Sequence, residues 1–225
     1  MITDLLGAPV VAVEAFTDPP EATLFPAERV VIARAVDQRR REFTTVRWCA
    51  RSAMARLGLP AAPVLPGFRG APQWPAGVIG SMTHCAGYRA AALARAQQIA
   101  TIGVDAEPNE PLPPGVLSDV ALPEERAWLA PLAQQYPTVC WDRLVFSAKE
   151  SVYKSWFPLT HRWLDFGEVV LTLSPQTRTF QARLLVPGPV LAGVPVTGFS
   201  GRWLVANGLI LTAIVVAATV PGQLP

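Results

Sequence analysis

The stretch Phe146-Ser-Ala-Lys-Glu-Ser-Val-Tyr-Lys154 contains both lysines of the chain, Lys149 and Lys154, on either side of Glu150. Arginine supplies the rest of the 19 basic residues. A lysine ammonium is a compact charge on a flexible stem, whereas a guanidinium is a planar fork. The selective use of lysine here indicates a site that needs an ammonium, and the alternative is that two lysines fell together by chance.

The residues around this stretch predict a helix from about Trp141 to Trp156. Glu150 and Lys154 are four residues apart and therefore share one face of that helix. The opposite face is apolar and consists of Trp141, Val145, Ala148 and Val152. One side is thus expected to pack while the other presents an acid and a base. A surface ion pair worth roughly 0.3–0.5 kcal/mol would explain the same two residues.

The composition of the chain indicates a packed protein with reduced thiols. Its 225 residues are 51% hydrophobic and 16% charged, which is ample for a core and excludes general disorder. The net charge of +2 and the dispersed arginines argue against nucleic-acid binding. Three cysteines without a close pair favour neither disulfides nor zinc. With no signal-peptide pattern and no membrane-length apolar run, we expect a cytoplasmic protein.

The first half of the chain predicts a long helix followed by strands. The segment 26–57 has helical character, without internal proline, and Gly58-Leu-Pro60 ends it. Strands are predicted at 78–81, 88–96 and 99–107, with Thr83–Gly87 as a turn between the first two. We expect these strands to form one antiparallel sheet packed against the helix.

The second half repeats this order of helix and sheet. Pro108–Pro114 predicts a stiff connector, and helices near 123–133 and 141–156 precede strands that run from about Val169 to the end. Asn207-Gly208 is a favoured two-residue turn and predicts a hairpin of Gly201–Ala206 with Leu209–Ala218.

A faint internal repeat relates the two halves. The pattern Arg40-x-x-Phe43-Thr44 recurs as Arg143-x-x-Phe146-Ser147 at an offset of 103 residues. We read it either as coincidence or as a duplicated α+β unit. A duplication would give one domain, 1–225, with similar halves at about 1–107 and 108–225 and a ligand cleft between them.

Two carboxylates share one face of the strand predicted at Ile102-Gly-Val-Asp105-Ala-Glu107. Strand alternation sends Asp105 and Glu107 to the same side, where like charges repel unless a cation neutralises them. If Glu150 approaches the same point, three oxygen donors favour Mg²⁺ or Mn²⁺ over zinc. Mg²⁺ commonly completes its shell with substrate phosphate, and the alternative is that both side chains are simply solvated.

Several cationic or hydrogen-bonding residues fit a phosphate ligand. Arginines 40, 47 and 51 share a face of the first long helix, Arg39 lies near the edge of that face, and Arg69 lies in a Gly67-Phe-Arg-Gly70 loop. Guanidinium groups bind phosphate oxygens in pairs, although a solvated helix surface would look the same. His84 follows Ser81 and Thr83, and all three side chains can donate hydrogen bonds to phosphate. The alternative interpretation of His84 is a structural role.

The motifs resemble the Sfp-type 4′-phosphopantetheinyl transferases, most closely the actinobacterial members that activate polyketide, fatty-acid and peptide synthases. The resemblance rests on Gly-Val-Asp-x-Glu at 103–107 and Trp…Phe-Ser-x-Lys-Glu-Ser-x-x-Lys at 141–154. Segments 43–51, 80–88 and 156–160 match the actinobacterial pattern in the same order. The acidic and lysine positions show no departure.

This resemblance implies a monomeric α+β fold with two similar halves, and a reaction. Phosphopantetheine would pass from coenzyme A to a serine of an apo acyl or peptidyl carrier protein, releasing adenosine 3′,5′-bisphosphate. Asp105, Glu107 and Glu150 would hold Mg²⁺. Glu150 would also take the serine proton, and Lys154 would contact the pyrophosphate and protonate the leaving group. The surface after Pro108 is expected to meet the carrier.

The resemblance also assigns the coenzyme A contacts. Those assigned to the 3′-phosphate and neighbouring oxygens are Arg39, Arg47, Arg69 and His84, with Ser81, Thr83 and Lys149 nearby. Helical geometry alone favours Arg40 over Arg39. Lys149 lies near the rim of the Glu150 face, where we expect it to bind coenzyme A peripherally. Trp163 is either a wall for the pantetheine arm or a core aromatic.

Two other functions use the same residues. A metal-dependent pyrophosphatase acting on coenzyme A would also need clustered carboxylates and arginines, but no protein acceptor. A non-enzymatic binding module for coenzyme A or carrier proteins would need no Mg²⁺.

Overall fold

Two antiparallel sheets, each packed against one long helix, organise residues 1–218, which the computed structural model describes. The helices are α1 (Ile2–Leu5), α2 (Pro26–Val31), α3 (Asp37–Arg56), α4 (Val116–Val120), α5 (Pro123–Gln135) and α6 (Trp141–Thr160). The strands are β1 (Val11–Ala15), β2 (Leu65–Pro66), β3 (Pro72–Gln73), β4 (Val78–Cys85), β5 (Tyr88–Arg95), β6 (Ile99–Pro108), β7 (Val169–Ser174), β8 (Thr179–Leu184), β9 (Val190–Leu191), β10 (Val194–Pro195), β11 (Gly198–Ala206) and β12 (Leu209–Ala217). This architecture confirms the predicted α+β class.

The first sheet has the strand order β1-β5-β4 and packs against α3. The buried face of the helix includes Cys49, Ala50, Ala53 and Met54. The prediction of one helix over 26–57 is wrong, because a turn separates α2 from α3. Arg40 stabilises that turn by donating to the carbonyls of Ala33 and Ala35, both at 2.7 Å.

Strand β4 is longer than predicted and continues to Cys85. Only Ala86 and Gly87 remain for the turn into β5, and Gly87 has the positive φ of 72° that such a turn accepts from glycine. Thr83 and His84 therefore lie on a strand and not in the predicted turn. Their side chains consequently point to opposite faces of the sheet.

Strand β6 does not join the first sheet, contrary to prediction. It pairs with β12 at one edge of a second sheet of order β6-β12-β11-β8-β7. On its other side, the hydroxyls of Ser81 and Thr83 accept from the amides of Val104 and Ala106 at 3.1 and 3.0 Å. Side-chain hydroxyls thus replace backbone pairing where the two sheets meet, and we call this contact the hydroxyl seam.

Helix α6 lies unusually close to β6 because small residues face each other there. A Cβ atom on Gly103 would come within 2.0 Å of the Ser151 carbonyl oxygen. The buried hydroxyls of Thr101 and Thr212 donate to the carbonyls of Ser155 and Ser147 at 2.8 and 2.9 Å. This close packing brings the functional face of α6 beside the carboxylates of β6.

The hairpin predicted at Asn207-Gly208 is confirmed, with positive φ at both residues and β11 paired to β12. The predicted run of strands reaches into 219–225, which lie outside the described residues. None of the helices within residues 1–218 is long and apolar enough to span a membrane.

The two segments of the internal repeat occupy matching turns of α3 and α6. The division into similar halves stays a prediction. Because β6 pairs with the second sheet, strand pairing favours a boundary before Ile99 rather than after Glu107.

Candidate active site

A cleft of about 780 Å³ lies between α3 and α6. It collects seven of the predicted site residues: Arg39, Arg47, Arg69, Ser81, His84, Glu150 and Lys154. Thr83, Asp105 and Glu107 do not line this cleft, and Lys149 borders a smaller cavity beside it. Residues 31–84 and 150–161 both contribute to its lining, so one copy of the chain builds the cleft.

Lys154 bridges helix α6 to strand β6 at the wall of the cleft. Its Nζ donates to Asp105 Oδ1 at 2.6 Å and to the carbonyl oxygen of Val104 at 3.2 Å. The lysine side chain is 26% exposed and the Asp105 side chain 6% exposed. A strong hydrogen bond to a nearly buried carboxylate therefore fixes the ammonium while it still reaches the cleft.

Glu107 pairs with an arginine on the first turn of α6. Arg143 Nη1 donates to Glu107 Oε2 at 3.0 Å. Burial raises the pKa of Glu107 to about 7, with Asp105 adding to the rise and Arg143 opposing it. The like charge of Asp105 is the repulsion that the strand alternation predicted.

Glu150 lies on the same face of α6 as Lys154 and lines the cleft. Burial raises the pKa of its carboxyl group, Lys154 opposes the rise, and Asp105 adds to it. A raised pKa makes the carboxylate a better proton acceptor. No hydrogen bond to another described residue ties its side chain, so the carboxylate remains available to a ligand.

The chemistry of these three carboxylates fits a hard divalent cation. All donors are oxygens, and Asp105 Oδ2 is buried without a hydrogen-bond partner among the described residues. Asp105 pairs with Lys154, and Glu107 pairs with Arg143. Within residues 1–218, no group of three acidic, histidine or cysteine side chains is close enough to form a ready-made metal site.

Arg39 and His84 form the cationic group of the cleft. Arg39 Nη1 lies 2.6 Å from His84 Nε2, and Glu42 Oε2 lies 3.4 Å from the same nitrogen. Burial lowers the pKa of His84, and Arg39 lowers it further. Arg39 lines the cleft, whereas Arg40 bonds to the α2–α3 turn, so the geometry favours Arg39 as the ligand-facing residue.

Two further arginines approach the cleft from different elements. Arg47 stacks over the Phe43 ring at 3.3 Å, and its Nε donates to the Val64 carbonyl. Burial lowers the pKa of Arg47 to about 10. Arg69 has a φ of 53° and lies 5.2 Å from the Trp163 ring. Arg51, which shares the predicted helix face, is instead bound to buried Glu28.

The structure corrects the prediction that Lys149 lies near the rim. Its side chain is 1% exposed, and Nζ donates to Glu125 Oε2 at 2.7 Å. The carbonyls of Val120 and Phe166 accept the other two bonds at 2.9 Å. Because all three ammonium donors have fixed partners, Lys149 has none left for coenzyme A, and the geometry supports a structural role.

Ser81 and Thr83 have the seam amides as partners. Both side chains are buried, and Thr83 Oγ1 also lies 3.4 Å from Asp105 Oδ1. Only Ser81 lines the cleft. Each hydroxyl accepts from a β6 amide and keeps one proton to donate. Thr83 directs its proton to Asp105, whereas the proton of Ser81 is available to a ligand in the cleft.

A smaller cavity of about 240 Å³ adjoins the cleft at Glu150 and Tyr153. Trp163 lines it together with Leu164 and Phe166. The indole is 55% exposed and lies 5.0 Å from the Tyr153 ring. Trp163 is therefore not a core aromatic, which removes one of the two interpretations that its sequence allows.

Sequence reasoning missed Arg143 as a site residue. It precedes Glu150 by seven residues and Lys154 by eleven, spacings that place all three on one helix face. That periodicity is the signal in the sequence that assigns Arg143 to this face.

Comparison with known proteins identifies the family of the chain. Residues 27–94 match the family described as 4′-phosphopantetheinyl transferase N-terminal domain, and residues 101–190 match the 4′-phosphopantetheinyl transferase superfamily. The chain is 59% identical to 4′-phosphopantetheinyl transferase Svp of Streptomyces mobaraensis over 97% of this chain and 90% of that protein.

Two further relatives cover nearly all of the chain. One is 4′-phosphopantetheinyl transferase PptT of Mycobacterium tuberculosis, 48% identical over 90% of each chain. The other is 4′-phosphopantetheinyl transferase Npt of Nocardia iowensis, 47% identical over 96% of this chain and 100% of that protein. With this identity along its full length, the chain belongs to the 4′-phosphopantetheinyl transferase superfamily.

Proposed function

We propose that this chain transfers 4′-phosphopantetheine from coenzyme A to a serine of apo acyl or peptidyl carrier proteins. The single observation that supports this most strongly is a cleft that combines a cationic group with an acid–base pair. Arg39 and His84 belong to the first, and Glu150 and Lys154 form the second. A ligand that carries several phosphates fits this combination.

The cationic group would bind the 3′-phosphate of coenzyme A. Arg39 and Arg47 offer guanidinium donors, and His84 offers a ring nitrogen beside Arg39. Arg69 would reach the ligand from the side of Trp163. Holding the nucleotide there places the pyrophosphate toward Lys154. Positioning of this kind is a large part of catalysis in phosphoryl transfer.

The acid–base pair would perform the proton transfers. The serine oxygen forms a bond to the phosphorus that carries pantetheine, while the bond from that phosphorus to the bridging oxygen breaks. Glu150 accepts the serine proton, directly or through a water. Lys154 contacts the pyrophosphate and donates a proton to the departing adenosine 3′,5′-bisphosphate.

Asp105, Glu107 and Glu150 would hold Mg²⁺, or Mn²⁺ in its place. A bound divalent cation would supply charge neutralisation at the reacting pyrophosphate. The unpartnered Oδ2 of Asp105 supports this assignment, and the ion pairs to Lys154 and Arg143 leave each paired carboxylate a second oxygen.

The cavity beside Tyr153 and Trp163 would receive the pantetheine arm. It adjoins Glu150, and its largely apolar lining suits an amide-linked aliphatic chain. We propose further that the protein acts as a monomer, because one chain supplies all residues that line the cleft. The proposed location, as expected from the sequence, is the cytoplasm. The surface after Pro108 is the proposed carrier contact.

The test is incubation with coenzyme A, Mg²⁺ and an apo carrier protein, followed by intact mass spectrometry of the carrier. We expect the carrier to gain one phosphopantetheine. Release of free phosphopantetheine with an unmodified carrier would indicate a pyrophosphatase instead. Coenzyme A binding without any product, across carriers of the acyl and peptidyl classes, would indicate a binding module.

A further inference from the structure

Arg143 contacts three acceptors at the point where the connector leaves β6. Its Nη1 donates to Glu107 Oε2 at 3.0 Å, its Nε to the Glu110 carbonyl at 3.1 Å and its Nη2 to the Pro111 carbonyl at 3.0 Å. The side chain is 16% exposed. Two of the three acceptors belong to the backbone, so the orientation of the guanidinium plane is set independently of Glu107.

The position of Arg143 on α6 matches the arrangement of the acidic residues on β6. Seven and eleven residues are close to two and three helical turns, so Arg143, Glu150 and Lys154 form one stripe. Along β6, Asp105 meets Lys154 and Glu107 meets Arg143. Each carboxylate of the strand thus has its own cation, and Glu150 lies between the two cations along the helix.

We infer that Arg143 is a positioning residue that orients the carboxylate of Glu107 for the transfer reaction. This inference rests on the proposed function, in which Glu107 helps to hold the divalent cation. The guanidinium binds one carboxylate oxygen of Glu107 through a donor whose position is fixed. This contact restricts rotation of the carboxylate and so orients the other oxygen toward the proposed cation. Partners that orient metal ligands in this way commonly affect metal affinity by about 10–100-fold.

The test compares Arg143→Met with the wild-type protein in two measurements. Calorimetric titration of Mg²⁺ into the protein–coenzyme A complex should show affinity about tenfold weaker in the variant. The Mg²⁺ concentration for half-maximal carrier modification should rise by a similar factor. Unchanged or tighter Mg²⁺ binding would overturn the inference.

Asn109→Ala is the matched control, because Asn109 also ties the connector to the start of α6 without contacting Glu107. Its side chain accepts from the Cys140 amide and donates to the Thr138 carbonyl. We expect this variant to keep the Mg²⁺ affinity of the wild-type protein. An equal loss in Asn109→Ala would mean that connector geometry, rather than the contact to Glu107, is responsible, and would overturn the inference.

A double variant separates this inference from the proposed metal. If Arg143 acts through Glu107, Arg143→Met should cost little further turnover in a Glu107→Gln background, so the two losses are not additive. Additive losses would overturn the positioning role. A wild-type protein that modifies carriers equally well in chelator would instead contradict the metal assignment, while the double variant would still decide the role of Arg143.

Discussion

Lys149 and Lys154 lie on the same helix and each binds one carboxylate, yet their surroundings differ sharply. The Lys149–Glu125 pair has side chains that are 1% and 0% exposed, and backbone carbonyls saturate the ammonium. The Lys154–Asp105 pair is 26% and 6% exposed and borders the cleft. The two lysines therefore differ in how many fixed acceptors they have and in how far solvent reaches them. These two properties, and not the residue type, distinguish the structural lysine from the candidate catalytic one.

The largest expected effect comes from removing the carboxylate that anchors Lys154 beside the cleft. Asp105→Ala should lower carrier modification at least about a thousandfold, because it removes both the anchor of Lys154 and a proposed metal ligand worth several kcal/mol. Turnover measured by mass spectrometry and thermal unfolding of the same sample would check this. Wild-type rates in saturating Mg²⁺ would contradict the assignment, and a native melting temperature would exclude misfolding as the cause.

Removing the buried lysine should affect stability instead of chemistry. Lys149→Met leaves the carboxylate of Glu125 buried without its cation, which should cost about 3–5 kcal/mol of unfolding free energy. Urea unfolding measures this cost. The double variant Lys149→Met/Glu125→Gln should recover part of the loss, since it removes the unpaired charge. If Lys149→Met were as stable as the wild-type protein but inactive, the comparison between the two lysines would be wrong.

A conservative exchange at the cleft should have an intermediate effect. Lys154→Arg keeps the positive charge but replaces a compact donor by a planar group that fits the site poorly. We expect about 10–100-fold slower transfer, typical of a disturbed acid–base group. Coenzyme A affinity serves as the control and should change less than the rate. Near-normal turnover would mean that an ammonium is not chemically required.

The smallest expected effect concerns the pH dependence of stability at His84. Because its pKa is lowered in the folded protein, the folded state binds fewer protons than the unfolded state. The contribution of His84 to the free energy of unfolding should therefore be fully present above the ordinary pKa of 6.5 and decline as the pH falls below that value. Burial lowers this pKa most, the charges of Arg39, Lys154 and Arg89 lower it further, and Glu42 opposes them. Urea unfolding of the wild-type protein and His84→Asn across this range should show a weaker decline in the variant, and identical curves would contradict this.

Local patterns in the sequence predicted the elements that carry the site. The spacing of Glu150 and Lys154, the alternation of Asp105 and Glu107 and the Asn207-Gly208 turn depend only on neighbouring residues, and the structure has each of them on the predicted element. Their assignment to catalysis or to a metal stays a prediction.

Contacts between segments that are distant in the sequence could not be predicted from such local patterns. Alternation shows which residues share a face of β6, but not that its partner is β12, which lies about a hundred residues further along the chain. The partner of Lys149 lies on another helix, so helical geometry alone placed this residue at an exposed rim. The break before α3 carries no glycine or proline signal of the kind that marked the other boundaries.

The hydroxyl seam has a consequence for the behaviour of the protein at high concentration. Strand β6 is an edge strand, and the unpaired amides of such an edge can pair with a strand of another molecule. The hydroxyls of Ser81 and Thr83 occupy two of these amides within the same chain. The hydroxyl seam connects β6, the strand that bears Asp105 and Glu107, to the first sheet. It thereby also protects the edge of β6 against intermolecular β-pairing and aggregation.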